Sequence, residues 1–161
     1  MSNYFTEHKG HRHDAIEALL MDSGVRCVRI SHVGAYSGPR SHAAALRRGI
    51  VPILKTIFNP WEEVRIGTPS LVEKIETPWV VMGQIEHFYH NPIYPRGRSP
   101  EEFASLNGFL FPEGHKYECY GWSDDWCEFF DMGKEWFGTG CWSVYDMDEG
   151  EFTLLYVSDT D

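Results

Sequence analysis

The sequence predicts an α+β fold: a single domain with a mainly antiparallel sheet of about five to seven strands and three or four short helices packed on one side. Three observations lead there. A chain of 161 residues suits one domain with its own core. From Tyr117 to Asp161 it is rich in aromatic residues and cut into short pieces by Asp- and Gly-bearing turns, the pattern of a four-strand meander. Ahead of that stretch, helix-start signals alternate with β-branched runs.

Taken in order, residues 1–13 are polar and expected to be loosely ordered. Asp14 with Glu17 forms a capping box, Gly24 closes the helix, and Ile16, Leu19 and Leu20 share one face. Val25–Val33 reads as a strand, bulged at Cys27-Val28 where the alternation slips. Gly34–Arg40 is a loop by composition, and Ser41 caps a short helix that runs to Arg48 and ends at Gly49. The apolar run Ile50–Leu54 suits either strand or helix, with Pro52 arguing against a central strand. Asn59-Pro60 and Thr68-Pro69 both have the form of a helix start. The second helix is expected to run through Leu71, Val72 and Ile75 and to stop before Thr77-Pro78.

Trp79–Ile85, apolar on both faces, reads as a buried strand. Ser99-Pro100-Glu101-Glu102 combines a cap, a proline at the first helical position and acids at the positive end of the helix dipole. Phe103 and Leu106 of that helix face inward, and Asn107-Gly108 ends it. The meander strands are Tyr117–Trp122, Trp126–Phe130, Glu135–Tyr145 and Glu151–Val157. In the third, Trp142 and Val144 share one face and Cys141, Ser143 and Tyr145 the other. The glycines at 138 and 140 suggest a bend, or room for a ring from a neighbouring strand. Trp122, Trp126, Trp136 and Trp142 fall in neighbouring strands and are expected to cluster, as core or as a binding patch.

The net charge of −10 is unevenly spread: residues 1–100 carry +3 and residues 101–161 carry −13. The acidic part would repel phosphates, so it argues against direct nucleic-acid binding there. The four cysteines (Cys27, Cys119, Cys127, Cys141) show no Cys-x-x-Cys pair. Free thiols of this kind are small buried hydrophobes, and together with the lack of a signal-peptide pattern they suit a reducing cytoplasmic setting. No run is apolar enough for a membrane helix.

No nucleophile elbow, phosphate loop or dinucleotide fingerprint occurs. His8, His11 and His13 precede the first firm element, so nothing fixes their geometry as metal ligands. His87 and His90 precede Asn91-Pro92, which argues for an extended backbone that points them apart. No catalytic residue is assigned, and neither a metal nor a cofactor is expected.

Two functional expectations follow. The first is a small acidic inhibitor that neutralises a basic protein, such as a toxin or nuclease, in the manner of an immunity protein, an antitoxin or a phage anti-defence protein. Its surface would be the turn-borne acids Asp124, Asp125, Glu128, Asp131, Asp146, Asp148 and Glu149 around Trp122 and Trp126, with charge speeding encounter and rings supplying affinity. The alternative is a small-anion or nucleotide site at the Ser31–Arg48 strand–loop–helix joint. There Arg26, Arg29, His32, Ser37, Arg40, Ser41 and His42 surround a helix N-terminus, with a histidine, His32 or His87, available as acid or base.

Overall fold

A computed structural model describes residues 25–32, 34–59, 62–90, 100–134 and 138–158. The expected helix from Asp14, the histidines His8, His11 and His13, and Trp136 lie outside them. The fold is α+β. Its five strands are β1 (Val25–Ser31), β2 (Leu71–Ile75), β3 (Tyr117–Trp122), β4 (Thr139–Asp146) and β5 (Glu151–Ser158). They form one sheet in the order β1-β5-β4-β3-β2, with every pairing antiparallel. Among the described residues three helices join them, α1 (Pro39–Ile57), α2 (Pro78–His90) and α3 (Pro100–Leu110), and Asp131–Lys134 makes one further helical turn, α4.

Helices cover both faces of the sheet, not one. The reason lies in the central strands: every residue from Glu151 to Val157 of β5 and from Cys141 to Asp146 of β4 is buried. A strand apolar on both sides needs cover on both sides. On one face Val25, Cys27, Cys119, Trp142, Val144, Leu155 and Val157 meet Val81, Met82 and Ile85 of α2 and Phe103, Leu106 and Leu110 of α3. On the other, Tyr120, Trp122, Cys141, Tyr145, Phe152, Leu154 and Tyr156 meet Leu46, Ile50, Ile53 and Leu54 of α1 together with Trp126, Phe129 and Phe130.

The expected short helix at 41–48 is the first half of a 19-residue one. Ser41, His42, Ala45, Leu46, Gly49, Ile50, Ile53 and Leu54 form its buried stripe at helical spacing. Pro52 falls on the exposed side, where the carbonyl it leaves unpaired can turn to water. Gly49 does not end the helix; it lets α1 approach the sheet. A Cβ there would stand 2.6 Å from Leu154 Cδ1 and 2.7 Å from Tyr156 Oη. That hydroxyl donates to the Leu46 carbonyl at 2.8 Å, so the contact fastens α1 to β5.

Other expectations fail for identifiable reasons. β1 pairs with β5 in unbroken register, so it has no bulge at Cys27-Val28; the one register shift falls between Leu71 and Glu73 of β2. Leu71–Ile75 is an edge strand, not a helix, because β3 offers it a pairing partner and only Ile75 is buried. Thr77-Pro78 starts α2 instead of stopping a helix before it: the Thr77 hydroxyl and carbonyl both accept the Val80 N–H. Trp79–Ile85 is therefore helical. Exposed Trp79 and Val80 fill in the helical stripe of Val81, Met82 and Ile85 and make it look like a continuous strand.

The acidic Ser99–Glu102 start is met by α3 from Pro100, with Phe103 and Leu106 buried, but the helix continues past Gly108 to Leu110. Three of the four meander segments are strands. The segment at 126–130 is instead a single bridge, Cys127 to Ile66, followed by a 3₁₀ turn at Glu128–Phe130. Cys141, Ser143 and Tyr145 face α1 while Trp142 and Val144 face α2 and α3, as the alternation of β4 requires. Gly140 makes room for the ring of Trp142 on its own strand, and not for one from a neighbouring strand.

Candidate functional site

Between Val25 and Ile57 the chain carries six Lys/Arg and no Asp or Glu, within a protein of net charge −10. β1 and α1 are thus a basic unit, and the strand–loop–helix joint between them holds a cleft of about 330 Å³. Its walls are Ile30, Ser31 and His32 at the end of β1, Ser37 in the loop, Phe152 of β5, and Arg40, Ser41, Ala44, Ala45 and Arg48 along α1.

The side chains at the helix start are tied together. The Ser41 hydroxyl accepts the Ser37 N–H at 2.9 Å and lies 3.2 Å from the Ser37 hydroxyl. Gly38 caps α1 without a side-chain hydrogen bond; its carbonyl accepts the Ser41 and His42 N–H groups, and Pro39 carries no N–H. Arg40 and Arg48 are exposed and have no carboxylate partner among the described residues. The Nε2 of His32 is itself shielded from solvent and has no hydrogen-bond partner among them. Two cations and a pair of hydroxyls on one concavity make an anion receptor.

Beneath the cleft lies a buried polar chain. Tyr36 Oη meets both the Glu118 carboxylate and His42 Nε2, the latter at 2.8 Å. His42 Nδ1 lies 2.6 Å from Ser143 Oγ, and the Trp122 indole N–H donates to the same oxygen at 2.8 Å. Chemistry at the two ends fixes every direction between them. An indole N–H only donates and a carboxylate only accepts. Tyr36 therefore donates to Glu118 and accepts from His42 Nε2–H. His42 Nδ1 must then accept from the Ser143 hydroxyl, which in turn accepts from Trp122.

His42 has no exposed surface, and burial, followed by the charge of nearby His32, pushes its pKa down to about 3. It is a neutral structural imidazole with both nitrogens engaged, not an acid or base for a ligand. Tyr36 also stacks on Tyr145, with ring centroids 4.0 Å apart, so the network pins the loop that carries Ser37.

Of the residues expected at an anion site, His32, Ser37, Arg40 and Ser41 line the cleft, and His42 lies under it. Arg26 does not line it. Arg29 is on the opposite face of β1, buried against Glu151 with Nε 2.9 Å from its carboxylate, and takes no part. His87 and His90 fall in α2, so their backbone is helical, not extended. Sequence reading missed Arg48, Phe152, Tyr36, Glu118 and Ser143. The last two join the site from 82 and 101 residues away, a distance no local pattern spans.

The expected acidic surface does not assemble. Trp122 and Trp126 are buried, at 7% and 3% exposure, and serve the core under α1, so they cannot anchor a partner. Trp142 lies on the other face of the sheet, so the tryptophans do not form one cluster. The acids fall at opposite ends of β4, roughly 23 Å apart at about 3.3 Å per residue, well beyond a Debye length.

At one end Asp124 accepts from Thr139 and lies 3.7 Å from Lys134, while Asp131 lies 3.8 Å from Arg65. Glu128 accepts the Arg65 N–H, and Asp125 is exposed. At the other end Asp146 is buried. It accepts the N–H groups of Asp148 and Glu149 on one oxygen and meets His115 Nδ1 at 2.7 Å with the other. One side-chain N or O atom from each of His115, Asp146 and Asp148 lies within 4.8 Å of the others. The Asp146 hydrogen bond, opposed by partial burial and then helped by the charge of that carboxylate, holds the His115 pKa above its usual value, which favours an ion pair. Asp148 accepts the Lys116 N–H, and Glu149 is exposed.

No protein-family model, curated protein or solved structure matches the chain. Among the described residues no helix is long and apolar enough to cross a membrane.

Proposed function

We propose that this protein binds a small organic anion, phosphorylated or carboxylated, in the cleft between the end of β1 and the first three turns of α1. The observation that carries the reading is the pair Arg40 and Arg48, facing one concavity with no carboxylate partner among the described residues. His32, Ser37 and Ser41 supply hydrogen-bonding groups beside the helix N-terminus, and Ile30, Ala44, Ala45 and Phe152 supply an apolar wall for the organic part. If the protein acts on its ligand, His32 is the group placed to move a proton, because His42 is fully engaged. The four buried, free cysteines support the reducing, cytoplasmic setting that the sequence suggests.

Hexyl phosphate is a suitable probe, and calorimetric titration a suitable measurement. Arg40→Ala should weaken binding ten- to a hundredfold, the loss of about 1.5–3 kcal/mol that accompanies a charged hydrogen bond, while the melting temperature stays nearly unchanged. An unaltered binding curve would sink the reading.

A second reading, capture of a basic protein partner such as a toxin or nuclease, keeps support from the β4–β5 hairpin tip. There Met147 is 48% exposed and is followed by exposed Asp148 and Glu149. An apolar contact within an acidic ring suits a basic surface. Reversing Asp148 and Glu149 to lysine should release any basic protein retained from host extract at low salt. Retention that survives the reversal would remove this reading.

A further inference from the structure

The cleft is larger than one anionic group requires. Its volume of about 330 Å³ falls at the lower end of the roughly 300–1,000 Å³ usual for small-molecule clefts. The two unpartnered arginines stand at different ends of it. Arg40 is in the first turn of α1, beside His32, Ser37 and Ser41. Arg48 lies eight residues further on, about 12 Å along the helix axis at 1.5 Å per residue. Between them the helix lines the cleft with Ala44 and Ala45; from the sheet it is lined by Ile30 and by the largely covered ring of Phe152, which packs on His32 and His42. The polarity along the cleft is therefore charged, apolar, charged.

Resting on the anion-binding reading above, we infer that the ligand is an elongated small molecule with an anionic group at each end and an apolar span between. One anionic end sits at the start of α1 against Arg40, Ser37, Ser41 and His32. The other is met by Arg48, and the span lies over the two alanines. The alanines matter because a longer side chain at either position would fill the floor on which the span rests. Arg47, the neighbouring cation, is exposed but does not line the cleft, so it contributes charge to the same helix without contributing to the site.

The test compares hexyl phosphate with 1,6-hexanediol bisphosphate by calorimetric titration of the full chain. The bisphosphate should bind at least tenfold tighter than the monophosphate. Arg48→Ala should abolish that preference, bringing the ratio close to one, whereas Arg47→Ala, which removes the same charge outside the cleft, should leave the ratio as it is. Melting temperatures of both variants check that the fold is intact. Equal affinity of the wild-type protein for the two probes would overturn the two-ended ligand while leaving the cleft as a single-anion site. An equal change of ratio in Arg47→Ala and Arg48→Ala would overturn it too, showing a general field and not a second subsite. If neither probe binds, the anion-binding reading itself falls, and this inference with it.

Discussion

Replacing Ser143 with alanine is expected to lower the unfolding free energy by about 3 kcal/mol, a large loss for the removal of one oxygen. Ser143 is fully buried, and its hydroxyl is the only link between the indole N–H of Trp122 and Nδ1 of His42. Alanine leaves a donor and an acceptor stranded at 0–7% exposure, and each stranded group costs about 1–3 kcal/mol. Urea unfolding of the variant measures the loss. A double variant with His42→Leu should cost clearly less than the two single losses combined, because the second change removes one of the stranded groups. Strict additivity would contradict the directed chain from Trp122 to Glu118.

Acid is expected to destabilise the protein from an unusually high pH. His42 in the folded state protonates only near pH 3, because burial disfavours its charge, whereas in the unfolded chain it does so near pH 6.5. The folded pKa is depressed, so as pH falls below 6.5 the unfolded state takes up the proton first. Stability is full above that pH and declines by about 1.4 kcal/mol for each unit below it, down to about pH 3. His115 acts in the opposite sense. Its folded pKa is raised by Asp146, so its contribution is complete below about 6.5 and is lost as pH rises through the folded value. The decline should therefore become visible below about pH 6. Carboxylates add to it lower down, so the decisive readout is the His42 ring resonance, which should stay in its neutral position at pH 5. A resonance that titrates near 6.5 would contradict the account.

Much of the fold is legible in the sequence because it is local. The cap, proline and acid run at Ser99–Glu102 marks α3, and the Asp- and Gly-bearing turn at 146–150 marks the hairpin between β4 and β5. Local signals mislead where tertiary contacts outweigh them. Gly49 reads as a helix end, yet Leu154 and Tyr156 require its missing side chain for close packing. Thr77-Pro78 reads as a stop but works as a start, because apolar residues exposed at 79 and 80 hide the helical period. The two-sided cover of the sheet is legible in the apolar run Leu154–Val157 of β5, whereas the turn patterning points to a one-sided meander.

The site divides in the same way. His32, Ser37, Arg40 and Ser41 are close in sequence and were identifiable as a group, since a helix N-terminus gathers what lies just before it. Arg29 belongs to the same strand but to its other face, a distinction that the alternation of buried residues in β1 makes only once Glu151 is seen opposite. Glu118 and Ser143 carry no local signal, because what makes them part of the site is the register of β3 and β4 beneath α1.

The most direct test of the central claim is a nitrogen–proton correlation spectrum of the protein recorded during titration with hexyl phosphate. Binding in the cleft predicts saturable shifts concentrated at Ser37, Arg40, Ser41 and His32, with the hairpin tip at 147–149 unmoved and the response displaced to ten- to a hundredfold higher probe concentration in Arg40→Ala. Shifts confined to other surfaces, or none up to millimolar probe, would contradict it.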